Sequence, residues 1–335
     1  MVQQAFHGEK TSPMVSTVIA TKARPKLVLR AVATVLQQTF SDLELIVVVD
    51  GPDAETEAGL SLIRDSRLRV IVNSMNVGCA ASRMVGVNAA KGEWVAFLDD
   101  DDEWLPKKLE HQIEEMQRTT ALERSRLIVT CAMHIVSPFG DSVRPKRIYD
   151  NGQAFDVWLF DRTGLRNGAV FQASSVLVSA ELARTLRFRP EAAHEDWDFA
   201  LRAKAEKDAK IITVPKPLVR HYRDDLTPRM TNDHKIAESL DWLESLGGAV
   251  SRRGYSAFCL NVIASHAADR GKVRWFLPLL VRAFKRGAPT ARQLAGFIGL
   301  WLMRKRMRRL ILGFLLDRRR TGDVALTETM RMSTK

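Results

Sequence analysis

Cysteine is scarce in this 335-residue chain. Cys79, Cys131 and Cys259 stand far apart, forming neither a disulfide framework nor a metal-spaced cluster, which points to a reducing compartment. No window of 18 or more uncharged apolar residues occurs, so no membrane-spanning helix is expected. Residues 1–13 are polar and lack an apolar stretch, so no secretory signal is expected either. No internal repeat or low-complexity tract is present. Acidic residues are nearly missing from one region: residues 271–335 hold 16 Lys and Arg against Asp317, Asp323 and Glu328, a net of +13. The whole chain carries +12, so residues 1–270 come to −1 and the basicity belongs to the tail. The length suffices for a full core, in one large domain with an appendage or in two domains.

What is present reads as alternation. Apolar, β-branched runs at 15–20, 45–49, 68–72 and 94–98 predict strands, and 26–38, 55–65 and 80–90 carry helical spacing. Strand, helix, strand in this rhythm, with nearly continuous apolar strands, predicts an α/β fold with a mostly parallel sheet flanked by helices. A charged helix at 105–118 and strands at 127–133, 174–178 and 211–214 follow. Residues 141–167 read as irregular, a helix opens at His194, and from Lys235 onward only helical patterns occur. Ligands on such sheets bind at the carboxyl ends of strands. Polar loops sit at three of those ends: 21–24, 50–53 and 99–102.

The stretch 94–104 is the most informative. Five mostly apolar residues run into Asp99, Asp100, Asp101 and Asp102. Adjacent carboxylates repel unless a cation sits among them, and hard divalent cations take such oxygens; a solvated acidic turn is the alternative. Asp99 and Asp101 are two apart, so in extended backbone they emerge on one side, about 7 Å apart.

In order and spacing, residues 15–21, Gln38-Thr39-Phe40, Val49-Asp50-Gly51, Asn76-Val77-Gly78 with Arg83, Gly92-Glu93-Trp94, Phe97 to Asp102 and Glu195-Asp196-Trp197-Asp198 resemble the family 2 glycosyltransferases of the GT-A fold. The resemblance covers residues 14–230. It implies a catalytic domain at 14–232, followed by a basic helical region at 233–335. It also implies hexosyl-type transfer, usually with inversion, from a nucleotide-sugar donor to an acceptor hydroxyl; a glycan or lipid-linked acceptor would explain the basic tail. Asp99 and Asp101 then fit the family's Asp-x-Asp pair for Mg²⁺ or Mn²⁺, with His221 a further candidate ligand or else a surface histidine. Donor contacts fall to Thr21, Arg24, Asp50, Arg83, Asp99 and Asp100. Asp50 would accept from the base, or merely open the Asp50-Gly51 turn. Arg83 would reach the diphosphate, or be a solvated helix arginine. Asp102 is left to shape the turn. Asp196 would be the general base, its place in a first helical turn favouring ionisation; capping that helix is the alternative use of the Glu195, Asp196 and Asp198 carboxylates.

Two departures bear on these roles. Lys22-Ala23 stands where many relatives carry a tyrosine and an asparagine near the donor base, so the base does not carry over. The loop 21–25 has no glycine, which disfavours a nucleotidyltransferase phosphate loop. A non-catalytic nucleotide-sugar- or glycan-binding relative is the other alternative. In the tail, Leu300, Met303, Met307, Leu310, Ile311 and Phe314 share a helical face opposite Arg304, Lys305, Arg306, Arg308 and Arg309. A basic amphipathic helix of this kind suits an anionic membrane surface, each cation contributing roughly 1 kcal/mol. Residues 271–335 are therefore expected to hold the protein peripherally on the cytoplasmic, inner face of the cell membrane. A nucleic-acid partner is not expected, because aromatic interleaving is missing.

Overall fold

The computed structural model describes residues 12–138, 140–161, 168–223 and 236–302. Two compact units divide the chain. The first takes residues 1–155, 170–234 and 245–249, the second 156–169, 235–244 and 250–335.

The first unit begins with the expected alternation. It runs β1 (Val15–Thr21), α1 (Pro25–Leu36), β2 (Leu43–Val49), α2 (Ala54–Ser61), β3 (Leu68–Val72), α3 (Cys79–Ala89) and β4 (Trp94–Asp99). Proline is tolerated in the first turn of α1. Its Val28, Ala31, Val32 and Val35, spaced on one face, are buried. All seven residues of β2 are buried, which explains the unbroken apolar run after Glu44, whose carboxylate is held by Ser16 and Arg69. Helix α3 lies close on the sheet because it carries Gly86: a Cβ there would stand 2.4 Å from Val18 Cγ1. These four strands pair in parallel in the order β3-β2-β1-β4. The chain therefore winds outward from β1 to β3 and returns on the other side of β1, making a switch point between β1 and β4.

Beyond β4 the sheet changes character. β5 (Glu103–Trp104), α4 (Lys108–Gln117), α5 (Ala121–Arg124), β6 (Leu127–Val136) and β7 (Ser142–Arg144) lead to α6 (Phe155–Phe160). Then come β8 (Leu177–Ser179), α7 (Ala180–Leu186), α8 (Glu195–Lys207) and β9 (Lys210–Tyr222). Strand β8 is antiparallel to both β4 and β6, while β9 runs parallel to β6 and antiparallel to β5. The described residues thus form one mixed nine-stranded sheet, β3-β2-β1-β4-β8-β6-β9-β5, with β7 on β6. The segment read as irregular, 141–167, contains β7 and α6. These are short elements with too few residues to show a period.

The second unit is helical, as the pattern after Lys235 predicts. It holds α6 after its first residue, α9 (Ile236–Ser245) up to Glu244, α10 (Arg252–Ala257), α11 (Ala264–Asp269), α12 (Phe276–Arg286) and α13 (Ala291–Leu302). A π-helical turn at Phe258–Ile263 joins α10 to α11. Phe258 packs edge-on to Phe160 and beside Trp242. Asp156 accepts hydrogen bonds from the Ser251 amide at 2.7 Å and hydroxyl at 2.6 Å. No helix among the described residues is long and apolar enough to cross a membrane. The expected amphipathic helix lies outside the described residues from position 303 onward.

One buried cation stands out in the first unit. Lys108 is fully buried, and its Nζ has no hydrogen-bond partner among the described residues. It sits 3.6 Å from the centroid of the Trp104 ring, whose face offsets part of the desolvation cost. Burial lowers its pKa from 10.5 to about 7. Between those values the unfolded chain binds a proton that the folded chain releases, so stability rises with pH across that window. Lys108→Met is expected to stabilise the fold by about 1–3 kcal/mol at pH 6, with the gain shrinking towards pH 10. Urea denaturation at both pH values reads this, and a gain that grows with pH contradicts it.

Candidate active site

The switch point is where the functional side chains gather. The parallel register sets Ala20 opposite Asp99, so the ends of β1 and β4 deliver Thr21 and the acidic run to one place. The Thr21 hydroxyl donates to Asp100 Oδ2 at 2.7 Å, and Arg24 Nη1 donates to Asp100 Oδ1 at 2.9 Å. Arg24 also lies 3.7 Å from Asp101 Oδ2. Burial lifts the Asp100 pKa even against this arginine. Burial likewise opposes the charge on Arg24, but Asp100, Asp101 and Asp99 outweigh it and raise its pKa. From α1, Arg30 Nη2 donates to the Asp101 carbonyl at 2.8 Å and pairs with Glu103. The acidic loop is thereby fixed by helix α1 as well as by its own strand.

Asp99, Asp101 and Asp102 each bring a carboxylate oxygen into a group whose members all lie within 4.8 Å of one another. Three hard oxygens at that spacing suit Mg²⁺ or Mn²⁺, ions that take few carboxylates beside phosphate oxygens. Asp102, assigned by its position only to the turn, is fully buried. It accepts from Ser174 Oγ at 2.6 Å and Gln172 Nε2 at 3.2 Å, and its Oδ1 lies 3.0 Å from His221 Nδ1. His221, at the end of β9, therefore borders the cluster, with a side chain 15% exposed. Gln172 stands at its centre: Nε2 is 3.4 Å from Asp99 Oδ2 and 2.8 Å from His221 Nδ1. The amide's Oε1 is buried and accepts no hydrogen bond among the described residues. That orphaned acceptor beside three carboxylates is what an oxygen-liganded cation would satisfy. Neither Gln172 nor Ser174 is legible from sequence, because both enter on the segment before β8, whose reversed pairing with β4 no local pattern reports.

Arg83 ties this cluster to α8. Its guanidinium donates to Asp99 Oδ1 at 2.5 Å, Glu195 Oε2 at 2.9 Å and Asp196 Oδ1 at 3.3 Å. The side chain is only 8% exposed, so it is not the solvated helix arginine that its sequence context allows. Burial works against the charge, yet the surrounding acids raise its pKa well above the ordinary value. Burial also works against ionised Asp99, but Arg83 outweighs it and lowers that pKa. On α8 the balance reverses. Burial pushes Glu195 up to about 7, against Arg83, with Asp196 and Asp99 adding to the rise. Asp196 is raised too, by burial first, and by Asp99. Its Oδ2 accepts from the Ala173 amide at 3.1 Å. The helix N-terminus thus does not hold Asp196 in the low range expected from a first-turn position. Asp198 is fully buried between Arg189 and Arg202 and serves to anchor α8.

Asp50 follows directly on β2, whose last residue, Val49, pairs with Thr21. Its oxygens accept from the Val77 and Gly78 amides at 2.8 and 3.0 Å and from Asn73 Nδ2 at 3.3 Å. Burial raises its pKa less than these donors lower it. Gly78 adopts φ +91°, a conformation that side chains disfavour, and thereby turns its amide towards Asp50. Lys22 reaches the same loop, 2.8 Å from the Asn76 side-chain oxygen in the amide orientation that satisfies both partners.

The sheet order and the acidic strand end at the β1/β4 switch define a fold of the GT-A type. The solved structure of Staphylococcus aureus TarS residues 1–349 in complex with UDP-GlcNAc has the same fold, with a TM-score of 0.51 and 18% identity over 85% of this chain and 79% of that one. Residues 16–124 match the family model Glycosyl transferase family 2. An uncharacterized glycosyltransferase of Methanocaldococcus jannaschii is 37% identical over 120 residues, 35% of this chain and 41% of that protein. The Escherichia coli UDP-Glc:alpha-D-GlcNAc-diphosphoundecaprenol beta-1,3-glucosyltransferase WfaP is 34% identical over 104 residues, 31% of this chain and 41% of that protein. The chain thus spans about two-fifths of the length of both relatives. Over its matched residues, 16–124, it is similar to glycosyltransferase family 2.

Removing Arg83 leaves Asp99, Glu195 and Asp196 without their shared cation. Arg83→Met is expected to destabilise the fold by about 3–5 kcal/mol at pH 7, as breaking a buried ion pair does. The loss should shrink towards pH 5, as the three acids protonate. Denaturant midpoints at the two pH values measure this, and equal losses at both contradict it.

Proposed function

We propose that the protein is a metal-dependent, inverting glycosyltransferase that moves a sugar from a nucleotide-sugar donor to a hydroxyl of a glycan or lipid-linked acceptor. The observation carrying this reading is the convergence at the β1/β4 switch of a three-carboxylate cluster with a raised-pKa acid, joined through Arg83. Breaking a glycosyl–phosphate bond builds negative charge on the departing diphosphate. A divalent cation held by Asp99, Asp101 and Asp102, with His221 beside it, would neutralise that charge. Thr21, Arg24 and Asp100 form the adjoining wall, where Arg24 would supply positive charge to the donor phosphates. Asp50 orders the loop 73–78 that closes the base end of the crevice.

Asp196 acts as the general base, taking the acceptor's proton as its oxygen attacks the anomeric carbon. Its raised pKa makes it a stronger base than a surface aspartate, at the cost of a higher pH for ionisation. Arg83 sets the balance between the two. The curated relative whose name specifies a diphosphoundecaprenol-linked acceptor supports a lipid-linked acceptor here. The excess charge of residues 271–335 supports attachment to the inner face of the cell membrane.

Transfer from the productive nucleotide sugar should require Mg²⁺ or Mn²⁺ and stop with EDTA. Asp196→Asn should lower kcat by about 10²–10⁴ while leaving donor affinity, read by calorimetry, within a factor of two or so. In the wild type, kcat/KM should fall as pH drops, with an apparent pKa above the ordinary aspartate range near 3.9. Full activity in Asp196→Asn contradicts the base assignment.

A further inference from the structure

We propose that the outward face of α12 is the surface by which the protein docks on an anionic lipid bilayer, an inference that rests on the membrane partner of the preceding section and gives it an address. Leu279 and Ala283 are fully buried, so one side of α12 belongs to the core of the second unit. The other side is equally apolar and bare. Val273, in the turn before α12, and Leu277, Val281 and Phe284 follow one another at spacings of 4, 4 and 3, and are 68%, 64%, 50% and 56% exposed. Such spacing sets them in one stripe along the helix. Four large apolar residues exposed in register form a contiguous patch, unlike the scattered single residues of an ordinary surface. The neighbouring helix α13, joined through the Phe276 and Phe297 rings at 4.8 Å, adds the exposed pair Ile298 and Leu302.

Charge identifies the occupant. Residues 271–302 contain six cations and no acid. Lys272, Arg274 and Lys285 flank the stripe and are exposed, while Arg282 and Arg286 pair with Glu244. A protein partner or a second copy of this chain would meet an apolar stripe with cations of one sign along it. An anionic bilayer matches both features at once: apolar side chains enter the acyl boundary, and lysine and arginine meet the headgroups. In this arrangement the bilayer contact is made by the folded second unit. It is not confined to the basic run after Leu302.

Co-sedimentation of the full chain with phosphatidylcholine vesicles, with and without 30% phosphatidylglycerol, tests this. The wild type should bind the anionic vesicles and release in high salt. The triple variant Leu277→Glu, Val281→Glu, Phe284→Glu should lose at least about tenfold in partition coefficient. Unchanged circular dichroism and metal-dependent donor hydrolysis without vesicles would show that it is folded. The single exposed substitution Leu277→Glu provides a milder variant, with a smaller loss in the same direction. Wild-type affinity in both variants overturns the docking face and leaves the membrane reading standing. Failure of the wild type to bind either vesicle overturns the membrane reading itself. A wild-type dimer in sedimentation velocity that the triple variant dissolves, without any difference in vesicle binding, assigns the face to self-association and also overturns the proposal.

Discussion

One guanidinium holds the site together. Arg83 projects from α3 and meets Asp99 of β4 and both Glu195 and Asp196 of α8. Those carboxylates come from elements nearly a hundred residues apart, Asp99 at the end of β4 and Glu195 at the start of α8, and without a cation between them they could not share a buried space in ionised form. The same contact sets two chemistries. It holds Asp99 ionised, while Glu195 and Asp196 stay raised by burial. Carboxylates whose pKa values are driven apart by one environment are a hallmark of divided acid–base labour.

The rest of the fold serves to bring these groups to one edge. Parallel pairing of β1 with β4 sets Thr21 against Asp100, and the wind from β1 to β3 and back leaves the crevice where the sheet order reverses. β8 then enters antiparallel beside β4 and carries Gln172 and Ser174 in just ahead of it. Ser174 both donates to Asp102 and accepts from the Asp99 amide at 3.1 Å. Trp104 closes the base of the loop, its indole donating to the Ser174 carbonyl at 2.8 Å. Against the face of that indole lies the buried Lys108, whose Nζ has no hydrogen-bond partner among the described residues.

Much of this was legible in the chain. The first four strands and their parallel order follow from apolar runs alternating with helical spacing, because buried parallel strands have no polar face to blur them. The acidic run and the carboxylates near 196 were visible for the same reason, as charges abutting apolar segments. Partnership was not visible. Arg83 has the sequence context of a solvated helix arginine, and only the approach of α8 adds Glu195 and Asp196 to Asp99 as its partners. Asp102 looks like a turn residue until Gln172 and Ser174, from the segment before β8, and His221 of β9 close on it. Asp196 stands in a first helical turn, where a low pKa is the usual outcome, and burial raises it instead. Each of these depends on contacts between distant segments, which local periodicity cannot encode. The exposed stripe of α12 was obscured differently: an apolar helix with two faces reads as core on both.

On the proposed reading, Asp99, Asp101 and Asp102 would hold a divalent cation together with the donor diphosphate. Electron paramagnetic resonance titration of Mn²⁺ into the full chain, with and without a nucleoside diphosphate, measures this without depending on turnover. Mn²⁺ should bind at one site, tighten by about tenfold or more when uridine or guanosine diphosphate is present, and lose that tightening in Asp101→Asn. Binding that is indifferent both to the diphosphate and to loss of the Asp101 carboxylate would contradict it.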